Sequence, residues 1–125
     1  MESKAPVKPA IRDLSNINID WVLKSDQPLC KNGQTATANY TGKFLGDEKV
    51  FDSNTDPKYH HVEPFEFAIG QGIVIACWDY VAARMPPASR ARVLCPYETA
   101  YGVAGYNNIP GGADLVFDFE MISCE

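Results

Sequence analysis

The sequence predicts an α+β fold in which an antiparallel β-sheet wraps around one short α-helix. Most apolar segments alternate apolar and polar residues, which is the pattern of half-buried strands. Only residues 75–84 have a helical pattern, and Gly, Pro, Asn and Asp residues mark turns between neighbouring segments. Many strands with a single short helix, and no internal repeat, are typical of antiparallel α+β domains.

Six segments of the chain are predicted as strands. They cover residues 17–23, 35–45, a segment that starts at 50–51, 64–69, 89–95 and 115–123. Gly46-Asp47 predicts a hairpin turn between the second and the third of these strands. The polar residues 52–63 and the Gly-, Asn- and Pro-rich residues 97–114 are predicted as loops.

The predicted helix begins next to a glycine-rich turn. Gly70 and Gly72 follow an apolar strand, and Val74-Ile75 then lead to Trp78 near the start of the helix. A tryptophan at this place is expected to point into the concave side of the sheet. It either fills the core or forms part of a pocket, and the pattern alone leaves both interpretations open.

Composition and charge limit the classes of protein that this chain can belong to. Its 125 residues fit one domain, and 46% hydrophobic residues are enough for one core. A formal net charge of −5 argues against binding to nucleic acid or to anionic membranes. No apolar run approaches the roughly 20 residues of a membrane span. We expect residues 1–16, which lack a hydrophobic signal segment, to be a disordered arm and residues 17–125 to be the domain.

The cysteines and histidines suggest neither a metal site nor a cofactor. Cys30, Cys77, Cys95 and Cys124 have no C-x-x-C spacing, and no histidine lies at a zinc-finger distance from them. We therefore expect four free thiols that behave as small hydrophobic residues, in a cytoplasmic protein. His60 and His61 are adjacent but have no obvious third ligand.

Aromatic residues come from six different predicted elements. They are Tyr40, Phe51, Phe65, Trp78, Tyr101 and Phe117. An aromatic-lined cleft between helix and sheet is a usual form of a small-molecule or peptide pocket, although the same residues can form an ordinary core. Asp52 follows one of these aromatics, where it can also simply cap a turn.

Six short motifs resemble the FKBP family, the macrolide-binding peptidyl-prolyl cis–trans isomerases, in their order and approximate spacing. They are Asn-Tyr-Thr-Gly at 39–42, Val-Phe-Asp-Ser at 50–53, Pro-Phe-Glu-Phe-Ala-Ile-Gly at 64–70, Val-Ile-Ala-Cys-Trp-Asp at 74–79, Ala-Tyr-Gly at 100–102 and Leu-Val-Phe-Asp-Phe-Glu at 115–120. The family fold is an antiparallel sheet around one short helix, which agrees with the fold predicted from the residue pattern.

The resemblance implies a role for each residue of a proline-binding pocket. Trp78 is expected to be the floor, and the walls are expected to be Tyr40, Phe51, Phe65 and Phe117. Val74 and Ile75 match the rim, where the backbone N–H of Ile75 meets a substrate or drug carbonyl. Asp52 matches a carboxylate at the buried edge, Tyr101 a hydroxyl donor, and Tyr106 and Ile109 further contacts. The expected catalytic residues are Phe51, Asp52, Trp78, Tyr101 and Phe117.

The implied function is isomerisation of X-Pro bonds in peptides and folding proteins by a monomer, with binding of tacrolimus and rapamycin. A drug complex of this family presents a composite surface to the phosphatase calcineurin. Because a twisted amide needs no acid or base, we expect Asp52 and Tyr101 only to orient the substrate, and activity to be nearly flat from about pH 6 to 8. The alternative is a binding module that catalyses little and recognises a partner through its rim loops.

Two rim loops depart from the family pattern. The loop between Asp52 and Phe65 is longer than usual, and the loop after Tyr101 is shorter. The arginine that usually pairs with the carboxylate is not at its place in this sequence. Asp52 therefore either lacks its usual partner or pairs with Lys58 or a histidine instead.

Overall fold

A six-stranded antiparallel sheet and one short α-helix make up the secondary structure of residues 14–125, the part of the chain that the computed structural model describes, together with three short 3₁₀ turns. The strands are β1 (Asn18–Leu23), β2 (Thr35–Phe44), β3 (Val50–Ser53), β4 (Phe65–Ala68), β5 (Ser89–Cys95) and β6 (Leu115–Cys124), and the helix is α1 (Ala76–Ala82). The α+β prediction is confirmed. Residues 1–13, most of the predicted arm, lie outside the described residues, and Leu14–Asn16 form a 3₁₀ turn.

Strand β2 organises the sheet because it pairs with three other strands. The strand order is β1-β5-β6-β2-β3, and β4 also pairs with β2. Strand β6 pairs with one edge of β2 along nearly its whole length, whereas β3 and β4 share the other edge. This arrangement brings side chains from β2, β3, β4 and β6 to one face of the sheet, next to α1.

The core lies between that face and the helix. The predicted apolar face of β6 is buried as expected, and its members are Leu115, Phe117, Phe119 and Met121. On β2, the buried residues alternate with half-buried ones, and they include Ala36, Ala38 and Tyr40. The helix contributes Cys77, Trp78, Val81 and Ala82 to the same core. Burial of one large apolar side chain stabilises a fold by about 1.5–3 kcal/mol, so this layer is the main source of stability.

The prediction of four free thiols is wrong. Two disulfides join Cys30 to Cys124 and Cys77 to Cys95, with Cα–Cα distances of 6.1 and 5.7 Å. The partners are 94 and 18 residues apart in sequence, so no local spacing could indicate the pairs. The fold creates them: one disulfide joins α1 to the end of β5, and the other joins the loop before β2 to the end of β6.

Candidate functional site

Trp78 is the centre of an aromatic cluster between α1 and the sheet. The side chain comes from α1 and is fully buried. Among the described residues, five rings have centroids between 5.0 and 5.9 Å from its ring, namely Tyr40, Phe65, Phe67, Phe117 and Phe119. The predicted floor and three of the four predicted walls therefore meet, and Phe67 and Phe119 join them.

Phe51 joins this cluster through Phe117, and a glycine makes room for both rings. The two ring centroids are 5.9 Å apart. A Cβ atom at Gly42 would lie 2.6 Å from Phe51 and 2.9 Å from Phe117, closer than real Cβ contacts allow. Gly42 therefore lets the rings from β3 and β6 pack against the backbone of β2.

The glycine turn before α1 is held by a side chain from the helix itself. The Asp79 carboxylate accepts hydrogen bonds from the N–H groups of Gly70 (2.8 Å) and Gly72 (3.1 Å). Both glycines have left-handed backbone conformations, with φ of 77° and 71°. Burial raises the pKa of Asp79, although these two N–H groups oppose the shift. No sequence pattern marks Asp79 as a functional residue, because a side chain that binds turn N–H groups leaves no periodic signal.

The glycine turn leads to the two predicted rim residues, Val74 and Ile75, which are both buried. Ile75 caps the helix in an extended conformation, and its carbonyl accepts hydrogen bonds from the N–H groups of Trp78 and Asp79. Within residues 14–125, the N–H of Ile75 donates no hydrogen bond to the protein.

We expect Asp79→Ala to loosen the rim turn and to destabilise the protein by about 1–3 kcal/mol, because the substitution removes the acceptor for two N–H groups. Urea unfolding measures the stability, and amide hydrogen exchange of Gly70 and Gly72 measures the opening of the turn. Asp20→Ala is the control, since Asp20 is an exposed acid on β1. Unchanged exchange at both glycines would show that Asp79 does not hold the turn.

Asp52 lies at the edge of the aromatic cluster and accepts several hydrogen bonds. Its Oδ2 accepts from the Tyr40 hydroxyl (2.6 Å), and its Oδ1 accepts from the Ser53 N–H (2.9 Å). The His61 Nε2 atom lies 2.5 Å from Oδ1. Burial raises the pKa of Asp52, and the hydrogen bonds from Tyr40 and His61 are among the contacts that lower it; on balance the pKa lies below its usual value. Asp52 is therefore a carboxylate at neutral pH.

Of the partners considered for Asp52, a histidine contacts its carboxylate, whereas Lys58 points to another group. The Nζ atom of Lys58 lies over the ring of Tyr59, 5.6 Å from its centroid. Asp52 is also more than a turn cap. Its carboxylate accepts from the Ser53 N–H, as a turn cap would, but it also bonds to Tyr40 and His61.

Asn54, which was not among the predicted site residues, anchors the long loop that carries His61. The side chain is buried; its Oδ1 accepts from the N–H of Tyr40 (2.8 Å). Its Nδ2 donates to the carbonyls of Ala38 (3.1 Å) and Glu63 (3.0 Å). Both ends of the loop are thereby tied to β2. An asparagine directly after a strand was the only signal available, and it is common in ordinary turns.

A cavity of about 230 Å³ adjoins the cluster at Phe51 and Asp52. It is lined by Phe51, Asp52, Tyr59, His61, Tyr106, Asn107, Asn108 and Ile109. Tyr101 is buried behind it and stacks on Tyr106, with ring centroids 5.2 Å apart and an interplanar angle of 11°. The structure thus brings four predicted site residues together around the cavity, while Tyr40, Phe65, Trp78 and Phe117 meet in the aromatic cluster.

Within residues 14–125, no three His, Cys, Asp or Glu side chains come together in a way that could hold a metal ion. In the same part of the chain, no helix is long and apolar enough to cross a membrane.

Comparison with known proteins gives consistent similarities. Residues 27–122 match the family described as FKBP-type peptidyl-prolyl cis-trans isomerase. The chain is 41% identical over 96 residues to the peptidyl-prolyl cis-trans isomerase Fkbp12 of Drosophila melanogaster, which covers 76% of this chain and 84% of the fly protein. It is 35% identical over 112 residues to FK506-binding protein 4 of Aspergillus oryzae, covering 90% of this chain but 23% of that protein. A peptidyl-prolyl cis-trans isomerase of Saccharomyces cerevisiae is 38% identical over 98 residues, or 78% of this chain and 22% of the yeast protein.

Proposed function

The chain belongs to the FKBP-type peptidyl-prolyl cis–trans isomerase family, and we propose that it accelerates rotation about X-Pro bonds in peptides and folding proteins, as a monomer. The observation that carries this proposal is the aromatic cluster around Trp78, with the Asp52–Tyr40 pair at its edge. This arrangement puts aromatic rings beside polar groups, the two kinds of group that a proline ring and its neighbouring amide bind.

The reaction needs no nucleophile and no cofactor. Rotation about the peptide bond breaks amide resonance, with a barrier of about 18–20 kcal/mol, and uncatalysed X-Pro exchange takes tens to hundreds of seconds. The planar amide is more dipolar than the twisted one, so water stabilises the ground state. A dry aromatic surface removes that stabilisation, and a pocket that fits the twisted form binds it more tightly. Each tenfold acceleration requires only about 1.4 kcal/mol.

The proposed roles follow from the positions of the groups. The proline ring lies on Trp78, between the walls formed by Tyr40, Phe51, Phe65 and Phe117. The N–H of Ile75 donates to a substrate carbonyl, and Val74 packs beside it. Tyr101 provides a hydroxyl donor, and Tyr106 and Ile109 contact the substrate across the cavity. Asp52 orients Tyr40 and the bound amide, and it transfers no proton.

The test is the exchange rate between cis and trans forms of a short X-Pro peptide, with and without rapamycin. We expect the protein to accelerate exchange and rapamycin to abolish the acceleration. Rapamycin binding without acceleration would instead support the alternative, a binding module that uses the same pocket. If the folded protein neither accelerates exchange nor binds rapamycin, both the isomerase function and the binding-module alternative are overturned.

We infer that tacrolimus and rapamycin bind in the aromatic pocket, and the name of the Aspergillus relative as an FK506-binding protein supports this inference. The composite surface for calcineurin is expected to differ, because residues 57–63 belong to a lengthened loop and residues 106–112 to a shortened one. A misplaced loop introduces clashes against a second protein more than it alters the pocket. Tight tacrolimus binding by calorimetry, with weak inhibition of calcineurin, is the expected pair of results.

The two disulfides bear on the compartment in which the protein works. Disulfides persist in oxidising compartments and are rare in cytosolic proteins. The sequence predicted a cytoplasmic location on the expectation of free thiols. The pairing of all four cysteines in disulfides favours an oxidising compartment instead.

A further inference from the structure

The lengthened loop places a histidine on the carboxylate of the candidate site. The Nε2 atom of His61 lies 2.5 Å from Oδ1 of Asp52, and the two side chains are 35% and 13% exposed. An ionised carboxylate can only accept hydrogen bonds, so the Nε2 atom of His61 must carry the hydrogen and donate it. Both the neutral ring with hydrogen on Nε2 and the protonated ring can make this bond.

The loop presents His61 in a defined place. Asn54 binds the carbonyl of Glu63, two residues beyond His61, and Asp56 caps the 3₁₀ turn Pro57–Tyr59. The His61 ring lies 6.4 Å from the ring of Tyr40 and lines the same 230 Å³ cavity as Asp52. His60, its neighbour, adopts a left-handed conformation with φ of 66° and is exposed. Only the second histidine of the pair therefore reaches the site.

We propose that His61 is a positioning residue that holds Asp52 and, through Asp52, the hydroxyl of Tyr40; this proposal rests on the proposed isomerase function. The site is then more active when the His61 ring is protonated. A protonated ring makes a charge-assisted hydrogen bond, which is stronger and shorter than the bond from a neutral ring. The stronger bond fixes the Asp52–Tyr40 pair more firmly at the edge of the pocket.

The groups that face His61 come from several elements of the fold. Among residues 14–125, the titratable side chains that face it are Asp52 on β3, Tyr40 on β2, and Tyr59 and Tyr106, which line the same cavity. Asp52 is ionised throughout, for the reasons given above, and tyrosine side chains are uncharged in this range. Histidine is the side-chain type whose charge changes between about pH 5 and 8. The nearly flat pH profile expected from the sequence is therefore replaced by one that falls as pH rises.

The experiment is the pH profile of kcat/KM, measured by NMR exchange between cis and trans peptide so that no coupling protease is needed. For the natural protein we expect a fall of about fivefold between pH 5.5 and 8, the difference between a charged and a neutral hydrogen bond. His61→Gln should be flat at the lower level, because glutamine can donate but carries no charge. His61→Arg should be flat at the higher level, since arginine keeps its charge.

His60→Asn is the matched control, because asparagine tolerates the left-handed conformation and position 60 does not reach Asp52. This variant should follow the natural profile. A flat profile for the natural protein, indistinguishable from that of His61→Gln, would overturn the role of His61 and leave the isomerase function standing. No acceleration at any pH by the folded natural protein would overturn the proposed function, and the role of His61 with it.

Discussion

Replacing both Cys30 and Cys124 with alanine is expected to lower the free energy of unfolding by about 4–5 kcal/mol. The two residues are 94 positions apart, and a crosslink across so long a loop removes much of the conformational entropy of the unfolded chain. The same crosslink supports a folded contact, since Thr35 and Glu125 exchange two backbone hydrogen bonds beside it. Because a typical domain is stable by only about 5–15 kcal/mol, the loss would be a large fraction of the total.

The Cys77–Cys95 disulfide provides the comparison. Its partners are 18 residues apart, so the same relation gives about 3 kcal/mol for Cys77→Ala with Cys95→Ala. Urea unfolding of both double variants and of the reduced natural protein measures the three stabilities. Thiol titration of the denatured protein, purified without reductant, should find no free thiol. Four free thiols, or a change below about 1 kcal/mol in the first variant, would contradict the disulfide.

Much of the fold was predictable because side chains along strands such as β2 and β5 alternate between a buried face and a less buried one. Strand β5 was predicted with the observed bounds, Ser89–Cys95, and β2 to within one residue. The helix was predicted as 75–84 but is shorter, Ala76–Ala82. Its first predicted residue, Ile75, adopts an extended conformation as the N-cap. Residue periodicity does not detect this change in backbone conformation, so the predicted helix was longer than the observed one.

The parts of the site that could not be predicted depend on single contacts between elements. The aromatic residues were recognisable because each belongs to a motif of the family. A histidine was among the partners considered for Asp52, but the choice between it and Lys58 was not predictable, because both lie in a loop without periodicity. Asn54 and Asp79 act through hydrogen bonds to backbone N–H and C=O groups, for which many polar residues are suitable. Such contacts become visible only when the fold has placed the backbone groups.

Trp78→Leu is expected to lower rapamycin affinity and kcat/KM by about 30- to 100-fold, because it removes the proposed floor of the pocket. The five surrounding rings lose their central partner, and each aromatic pair contributes about 0.5–1.5 kcal/mol beyond burial. We also expect the free energy of unfolding to fall by about 2–4 kcal/mol, since leucine leaves part of the indole volume empty. Circular dichroism and urea unfolding establish that the variant is folded under the conditions of the assay.

Tryptophan fluorescence then shows whether rapamycin binds at Trp78 or elsewhere on the molecule. The second tryptophan, Trp21, lies on β1, is only partly buried, and has the Nζ atom of Lys24 4.9 Å from its ring centroid. If Trp78 is the floor, rapamycin changes the emission of the natural protein and of Trp21→Leu but not that of Trp78→Leu. The comparison is decisive because both variants retain one tryptophan. A signal that survives in Trp78→Leu and disappears in Trp21→Leu would place the ligand elsewhere, since a ligand resting on the buried indole must alter its surroundings first.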